Sequence, residues 1–352
     1  MAQAVAFGAA GALGAAALVR ISSQWHSELS AADNLLNFVL HATDFWGGMI
    51  RAPREGLRAV ADQGAPKDDA TFKKVVAGLG YETTVVQVPV PGGTIPMEVH
   101  KPKGATEPLP IVMWCHGGGM VVMNCRDLFA TKSGAPLGVG LGLFDRLAGK
   151  AIIASVDYRR APEHPFPVGA EDAIAAAQWL SQNGKDIGGD PSRLSVGGFS
   201  SGGCLAAVVH QAARDRGFPL CFAAMFAPVC RYMAATESFV QNGHYTALPL
   251  QGMIWFFRQY VPNPTPEIVT DPRCSPVYGV GKGNLSPCVV ATFEYDILRD
   301  EGVEFGEALR EAGVAVTQYR MKGSHLGGFL DRPKVEALLN EWERAIGTSS
   351  KL

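Results

Sequence analysis

Three observations in the sequence predict an α/β protein with a mostly parallel central sheet flanked by helices. Two nearly all-apolar runs, Ile111 to Cys115 and Ala151 to Asp157, read as strands buried on both faces. Strand-like and helix-like patterns then alternate towards the end of the chain, the order that builds a parallel sheet through crossover helices. Near the middle, Leu194 to Phe199 runs as an apolar strand into a G-x-S-x-G turn, Gly198-Phe199-Ser200-Ser201-Gly202, followed at once by an Ala-rich helix.

The elements follow in order. A polar, helix-patterned region covers Ser22 to Gly80. Thr83 to Val90 and Ile95 to Lys101 alternate in polarity, which suits an antiparallel edge. Beyond the two apolar strands, further strands are expected at Leu194 to Phe199, Cys221 to Phe226, Cys288 to Thr292 and Ala315 to Tyr319. Helical patterns lie at Gly169 to Asn183 behind Pro167, Gly203 to Arg216, Glu301 to Ala312 and Pro333 to Ala345. Between Pro228 and Pro276 the alternation lapses into an aromatic-rich stretch containing Trp255, Phe256, Phe257 and Tyr260, read as a helical insertion that forms a cap together with the N-terminal helices. The resulting division is an apolar segment 1–20, an N-terminal helical cap region 21–80, a first core part 81–228, a cap insertion 229–276 and a second core part 277–349.

Composition narrows the function classes. The 352 residues, 47% hydrophobic, suffice for one large α/β domain with an appendage. A formal net charge of -2 without Lys/Arg runs argues against a nucleic-acid partner. Seven scattered cysteines contain no C-x-x-C pair, which disfavours a zinc site or a disulfide framework and suits reduced core thiols.

The two ends of the chain carry different addresses. Met1 to Val19 is an uncharged Ala/Gly-rich stretch, readable as a membrane anchor or surface helix, as a packed helix, or as a signal peptide. The final Ser350-Lys351-Leu352 matches the peroxisomal tripeptide, so the expected location is the peroxisome, with membrane-associated or cytoplasmic placement as the alternatives. The oligomeric state is left open, with a dimer as the candidate.

A serine at the point of a strand-to-helix turn sits in a tight backbone that presents its hydroxyl, and only small residues fit two positions before and after it, here Gly198 and Gly202. Among 41 glycines such a pentapeptide can arise by accident, so its context decides. Acyl transfer by serine needs a base, a carboxylate to orient the base, and donors for the oxyanion. In an α/β-hydrolase fold the chain order is Ser, then Asp or Glu, then His. His210, His244 and His325 follow Ser200, and only His325 lies beyond an acid at the end of a late strand, which makes it the base. Asp296, just past the strand Val289 to Thr292, is the orienting acid, with Glu294 in reserve. Asp300 and Glu301 are expected to serve the following helix N-terminus. His116-Gly117-Gly118-Gly119 follows an apolar strand and leaves backbone amides unobstructed. Gly117, Gly118 and Gly119, with the amide of Ser201, make the expected oxyanion hole, and His116 braces the loop. The glycine loop lacks the spacing of a phosphate or dinucleotide site. No metal or cofactor is expected.

In this combination the chain resembles the hormone-sensitive lipase-like branch of α/β-hydrolases, carboxylesterases that include arylacetamide deacetylase and plant carboxylesterases. The resemblance spans about Pro110 to Phe329 and includes Asp157-Tyr158-Arg159-Arg160-Ala161-Pro162-Glu163, similar to that family's D-Y-R-x-A-P-E segment, and Asp271-Pro272 with Ser275-Pro276. It implies the α/β-hydrolase fold with a two-part cap, Ser200 as nucleophile, Asp296 and His325 as its partners and the glycine loop as oxyanion hole. Family elbows usually read G-D-S-A-G or G-T-S-A-G, whereas Phe199 and Ser201 flank Ser200 here and would reshape the pocket floor; Met120 to Gly138 also departs from the pattern. The expected activity is serine hydrolysis of small-molecule esters with apolar short- to medium-chain groups, through an acyl-enzyme. The alternatives are acyl transfer, thioester cleavage or cyclisation in a peroxisomal or secondary-metabolite pathway, and a non-catalytic receptor of the same fold. Related gibberellin receptors have lost the histidine that this sequence retains as His325.

Overall fold

The structure, a computed structural model, describes residues 69–126, 146–147, 149–243, 247–281, 283–326 and 331–348. The N-terminal apolar segment, most of the 21–80 region, His244, Tyr245 and the final tripeptide lie outside the described residues.

After helix α1 (Asp69–Gly78), eight strands form one sheet: β1 (Tyr81–Val90), β2 (Gly93–Pro102), β3 (Leu109–Cys115), β4 (Ile152–Val156), β5 (Gly189–Phe199), β6 (Phe222–Phe226), β7 (Cys288–Tyr295) and β8 (Val316–Ser324). Their spatial order is β1-β2-β4-β3-β5-β6-β7-β8. β1 and β2 join antiparallel at one edge, and β4 through β8 run parallel. The alternating strands are therefore the antiparallel ones, with the half-exposed β1 outermost, while every residue of β4 is buried.

Period-two alternation splits the core between the two faces of the sheet. Ile111, Met113 and Cys115 of β3 pack with the helices α2 (Val168–Asn183), α3 (Ser201–Arg216) and, before β8, α7 (Arg299–Glu311). Val112 and Trp114 face the other way, onto α1 and the C-terminal helix α8 (Arg332–Thr348). The described end of the 21–80 region is α1, whose Phe72 and Val76 are buried in that second cluster. Between β6 and β7 stand three helices, α4 (Glu237–Gln241), α5 (Leu250–Tyr260) and α6 (Pro266–Val269). Among the described residues no helix is long and apolar enough to cross a membrane, and none of the seven cysteines is in a disulfide.

Trp342 of α8 ties the back of the sheet to the central strand. Its indole Nε1 donates to Ser195 Oγ at 3.0 Å, and its ring lies where a side chain on Gly197 would stand. Trp342→Ala should therefore open a cavity beneath β5 and destabilise the fold by about 3–5 kcal/mol. Urea unfolding is expected to show a lower midpoint at an unchanged m-value.

Candidate active site

The site gathers where the parallel strands end. The loop after β3, Ser200 after β5, Asp296 after β7 and His325 after β8 all lie at the carboxyl edge of the sheet, the edge at which open α/β sheets form their crevices. Ser200 sits at φ 59°, ψ -121°, a conformation that non-glycine residues avoid. It is held there by its amide, which donates to the Phe226 carbonyl at 2.8 Å, and by its carbonyl, which accepts from Cys204 at 3.1 Å. A methyl group at Gly198 would collide with the Gly202 carbonyl, and one at Gly202 with the carbonyls of Cys115 and His116. The two glycines thus let β5, α3 and the end of β3 touch backbone to backbone.

Ser200 is the N-cap residue of α3 but makes no capping hydrogen bond. A cap serine usually turns its oxygen back to the helix amides. Here the hydroxyl lies 3.1 Å from His325 Nε2, and His325 Nδ1 lies 2.7 Å from Asp296 Oδ2. Asp296 is fully buried, and its other oxygen accepts the Leu298 amide at 3.0 Å. That arrangement leaves Nε2 facing the hydroxyl as acceptor while Nδ1 donates to the carboxylate. Phe199 stays off the pocket floor: its ring packs against that of His325, 4.9 Å between centroids, and against Phe293.

In the glycine loop, Gly118 and Gly119 adopt φ of 101° and 62°. Among the described residues no group accepts a hydrogen bond from their amides. The Ser201 amide opens α3, where a helix leaves its first N–H groups without internal partners. Gly117 makes a close approach instead, since a Cβ there would press on the ring and carbonyl of Phe199, and its own carbonyl accepts from His116 Nδ1 at 2.7 Å. The Tyr158 hydroxyl donates to the His116 carbonyl at 2.9 Å, and its ring stacks on His116 at 4.2 Å. The neighbouring Arg159 makes a forked pair with Asp172 of α2, Arg160 Nη1 donates to the Met123 carbonyl, and the Ala161 amide donates to the Met120 carbonyl at 2.8 Å. The D-Y-R-R-A-P segment is thus the buttress of the glycine loop. His210, by contrast, is buried on α3 against the Ser286 carbonyl, and burial lowers its pKa to about 4.

The insertion roofs the site. On α5, Met253, Phe256, Phe257 and Tyr260 recur on one helical face and are buried. Phe256 presses on the glycine loop where a side chain at Gly119 would stand. These residues enclose, with Gly119, Met120, Ser200, Ser201, Cys204, Val229, Leu248 and Cys274, a pocket whose free volume of about 30 Å³ has room for little more than one water. Burial pushes the Cys274 thiol up to about 12 and the Cys204 thiol well above its ordinary range, so both line the pocket as neutral groups. Among the described residues no cluster of His, Cys, Asp or Glu is placed to hold a metal ion.

Asp300 and Glu301 stand in the first turn of α7, as expected, and each also ties another segment to it. Asp300 Oδ2 accepts the Ser238 amide at 2.7 Å, which holds the start of α4 in the insertion, while its Oδ1 accepts from Arg299 of its own helix at 2.7 Å. Glu301 turns inward, 2% exposed, and its Oε1 accepts the Cys230 amide at 2.7 Å. It thereby ties the acid-bearing loop to the chain leaving β6, next to Val229, whose amide reaches the Ser200 carbonyl at 3.4 Å. Nothing in the D-E pair marks which carboxylate turns inward. The reserve acid Glu294 lies on β7, and it is Asp296 that meets His325.

A family model described as the alpha/beta hydrolase fold matches residues 112–327. The carboxylesterase NlhH of Mycobacterium tuberculosis is 36% identical over 229 residues, 63% of this chain and 67% of that protein. The carboxylic ester hydrolase LipN of the same organism is 34% identical over 258 residues, 71% of this chain and 65% of that protein. Among solved structures, a thermostable esterase from Pseudomonas putida superposes with a TM-score of 0.74 at 27% identity, covering 93% of this chain and 99% of that one. The carboxylesterase EstE1, cloned from a metagenomic library, superposes with a TM-score of 0.70 at 31% identity, covering 84% and 99%. Fold and family model together define the class, an α/β-hydrolase. Within that class the chain belongs to the hormone-sensitive lipase-like carboxylesterase family, the one its motifs resemble.

Burial raises the Glu301 carboxyl to about 8 against the partial opposition of the Cys230 and Arg231 amides. The folded protein then retains a proton that the unfolded chain releases above about 4.5, so stability falls as pH rises from there to about 8. Glu301→Gln is expected to remove one proton's worth of that slope, measured by denaturant unfolding across pH 5 to 8.

Proposed function

We propose that this chain hydrolyses carboxylic esters with apolar short- to medium-chain acyl groups through an acyl-Ser200 intermediate. The observation that carries the reading is the continuous relay from Ser200 Oγ through His325 to the buried Asp296, beside a small apolar pocket that Ser200 lines. An ester carbonyl seated over Ser200 is attacked by Oγ as His325 Nε2 takes its proton. Asp296 holds the imidazole in the tautomer this needs and stabilises the imidazolium that forms. The oxyanion meets the amides of Gly118, Gly119 and Ser201, fixed before the substrate arrives by the Tyr158 buttress. Protonated His325 then gives its proton to the leaving alcohol, and water repeats the sequence on the acyl-enzyme.

His325 does not line the pocket under α5. The alcohol oxygen must meet His325 to be protonated, so the alcohol departs on that side and the pocket receives the acyl chain. Its small free volume means that an acyl group enters by displacing Met253, Phe256 and Phe257 of the roof. That limit favours short and medium chains over long ones.

With p-nitrophenyl esters from acetate to dodecanoate, turnover is expected to peak at short to medium length and fall for the longest chains. Ser200→Ala should lower kcat by roughly 10⁶-fold and Asp296→Asn by roughly 10⁴-fold, if related serine hydrolases set the scale. Wild-type activity that persists in Ser200→Ala at any chain length would overturn the assignment.

A further inference from the structure

Tyr260 takes no part in the chemistry above, yet it is placed as a functional group would be. It is the last residue of α5, 5% exposed, and lines the pocket over Ser200. Among the described residues its hydroxyl has no hydrogen-bond partner. A buried hydroxyl without a partner is destabilising, and phenylalanine would fill nearly the same volume without that penalty. The side chain is not a stray one at the surface. Its carbonyl accepts the Phe166 amide at 2.8 Å, and its ring meets that of Phe166 edge-on at 5.7 Å. Around it the pocket is built from Val229, Leu248, Met253, Phe256 and Phe257. Burial holds the phenol well above its ordinary range, so it stays a neutral donor at any working pH.

A largely apolar chamber with two unsatisfied hydroxyls, that of Ser201 beside the nucleophile and that of Tyr260 on the roof helix, recognises a chain that is mostly hydrocarbon and carries an acceptor besides its ester. We propose that Tyr260 is a specificity-determining residue that donates a hydrogen bond to an oxygen on the acyl chain, remote from the scissile carbonyl, so that the preferred substrates are esters of oxo or alkoxy acids rather than of plain alkanoic acids. The inference rests on the acyl-enzyme reading and on the acyl group entering this pocket. Sites that hydrogen-bond a substrate group discriminate against the analogue lacking it far more strongly than apolar pockets discriminate by size.

The test compares matched 4-methylumbelliferyl esters in wild type and Tyr260→Phe: pentanoate with 4-oxopentanoate, hexanoate with 5-oxohexanoate, and hexanoate with 4-methoxybutanoate. Dividing the wild-type preference for the oxygen-bearing ester by that of the variant cancels the intrinsic reactivity of each ester. The expected double ratio in kcat/KM exceeds about tenfold for at least one oxygen position. A double ratio near one in all three pairs overturns the proposal, as does a variant that loses plain and oxygen-bearing esters equally. Should the variant fail to fold, thermal shift of the wild type decides: 4-oxopentanoate must stabilise it more than pentanoate, and equal shifts overturn the proposal. Wild-type turnover of plain esters that depends on Ser200 but shows no such preference strikes this inference alone, whereas turnover independent of Ser200 strikes the hydrolase reading.

Discussion

The backbone contact between the elbow and the end of β3 is the constraint on which the rest of the site depends. Gly198 and Gly202 bring the turn against the Cys115 and His116 carbonyls. Only that approach places the start of α3 beside the glycine loop, so that amides from two separate elements can converge on one oxygen. It also fixes Ser200 in a backbone conformation whose strain the surrounding hydrogen bonds to Phe226 and Cys204 must hold. Side chains at either glycine would push the elbow and the end of β3 apart.

A second layer holds that contact from outside. Tyr158 and Arg159 follow β4, and between them they engage the glycine loop and the fully buried Asp172 on α2. From the other side α5 lays Phe256 on Gly119, so the roof and the oxyanion loop share a surface. A displacement of α5 would therefore be felt at the glycine loop, which the Tyr158 buttress holds from the opposite side.

The sheet was legible in the sequence wherever residues report burial directly. The nearly all-apolar β4 and the alternating β1 declared their places, and the three groups of the relay stood in the order that the elbow demands. Strand ends were less legible. β8 continues past Tyr319 to Ser324, because Arg320 and Met321 pair with Thr292 and Phe293, and Ser324 with Tyr295 beyond an irregularity. β5 likewise begins at Gly189, because Gly189 and Asp190 pair with Leu109 and Pro110 before a register shift that takes in Pro191 to Arg193. Tyr260 and Glu301 were illegible for a different reason. Each looks locally like an ordinary member of a helix, and its role comes from a partner or a vacancy in hydrogen bonding that only the folded chain creates.

Charge in the site follows from the same dryness. Asp296 has no exposed surface and is satisfied by His325 and the Leu298 amide, so its negative charge acts on the imidazole without a screen of water. A second ionised carboxylate nearby would add to that field and would need its own counter-charge. Glu301 avoids this by remaining protonated up to about 8 while using its oxygen to accept the Cys230 amide. One carboxylate thus carries the charge of the relay while the other serves as a neutral tie between the acid loop and the chain leaving β6. The two acids stand five residues apart, and Asp296 faces the imidazole while the amides that Glu301 faces oppose, without overcoming, the burial that keeps it protonated.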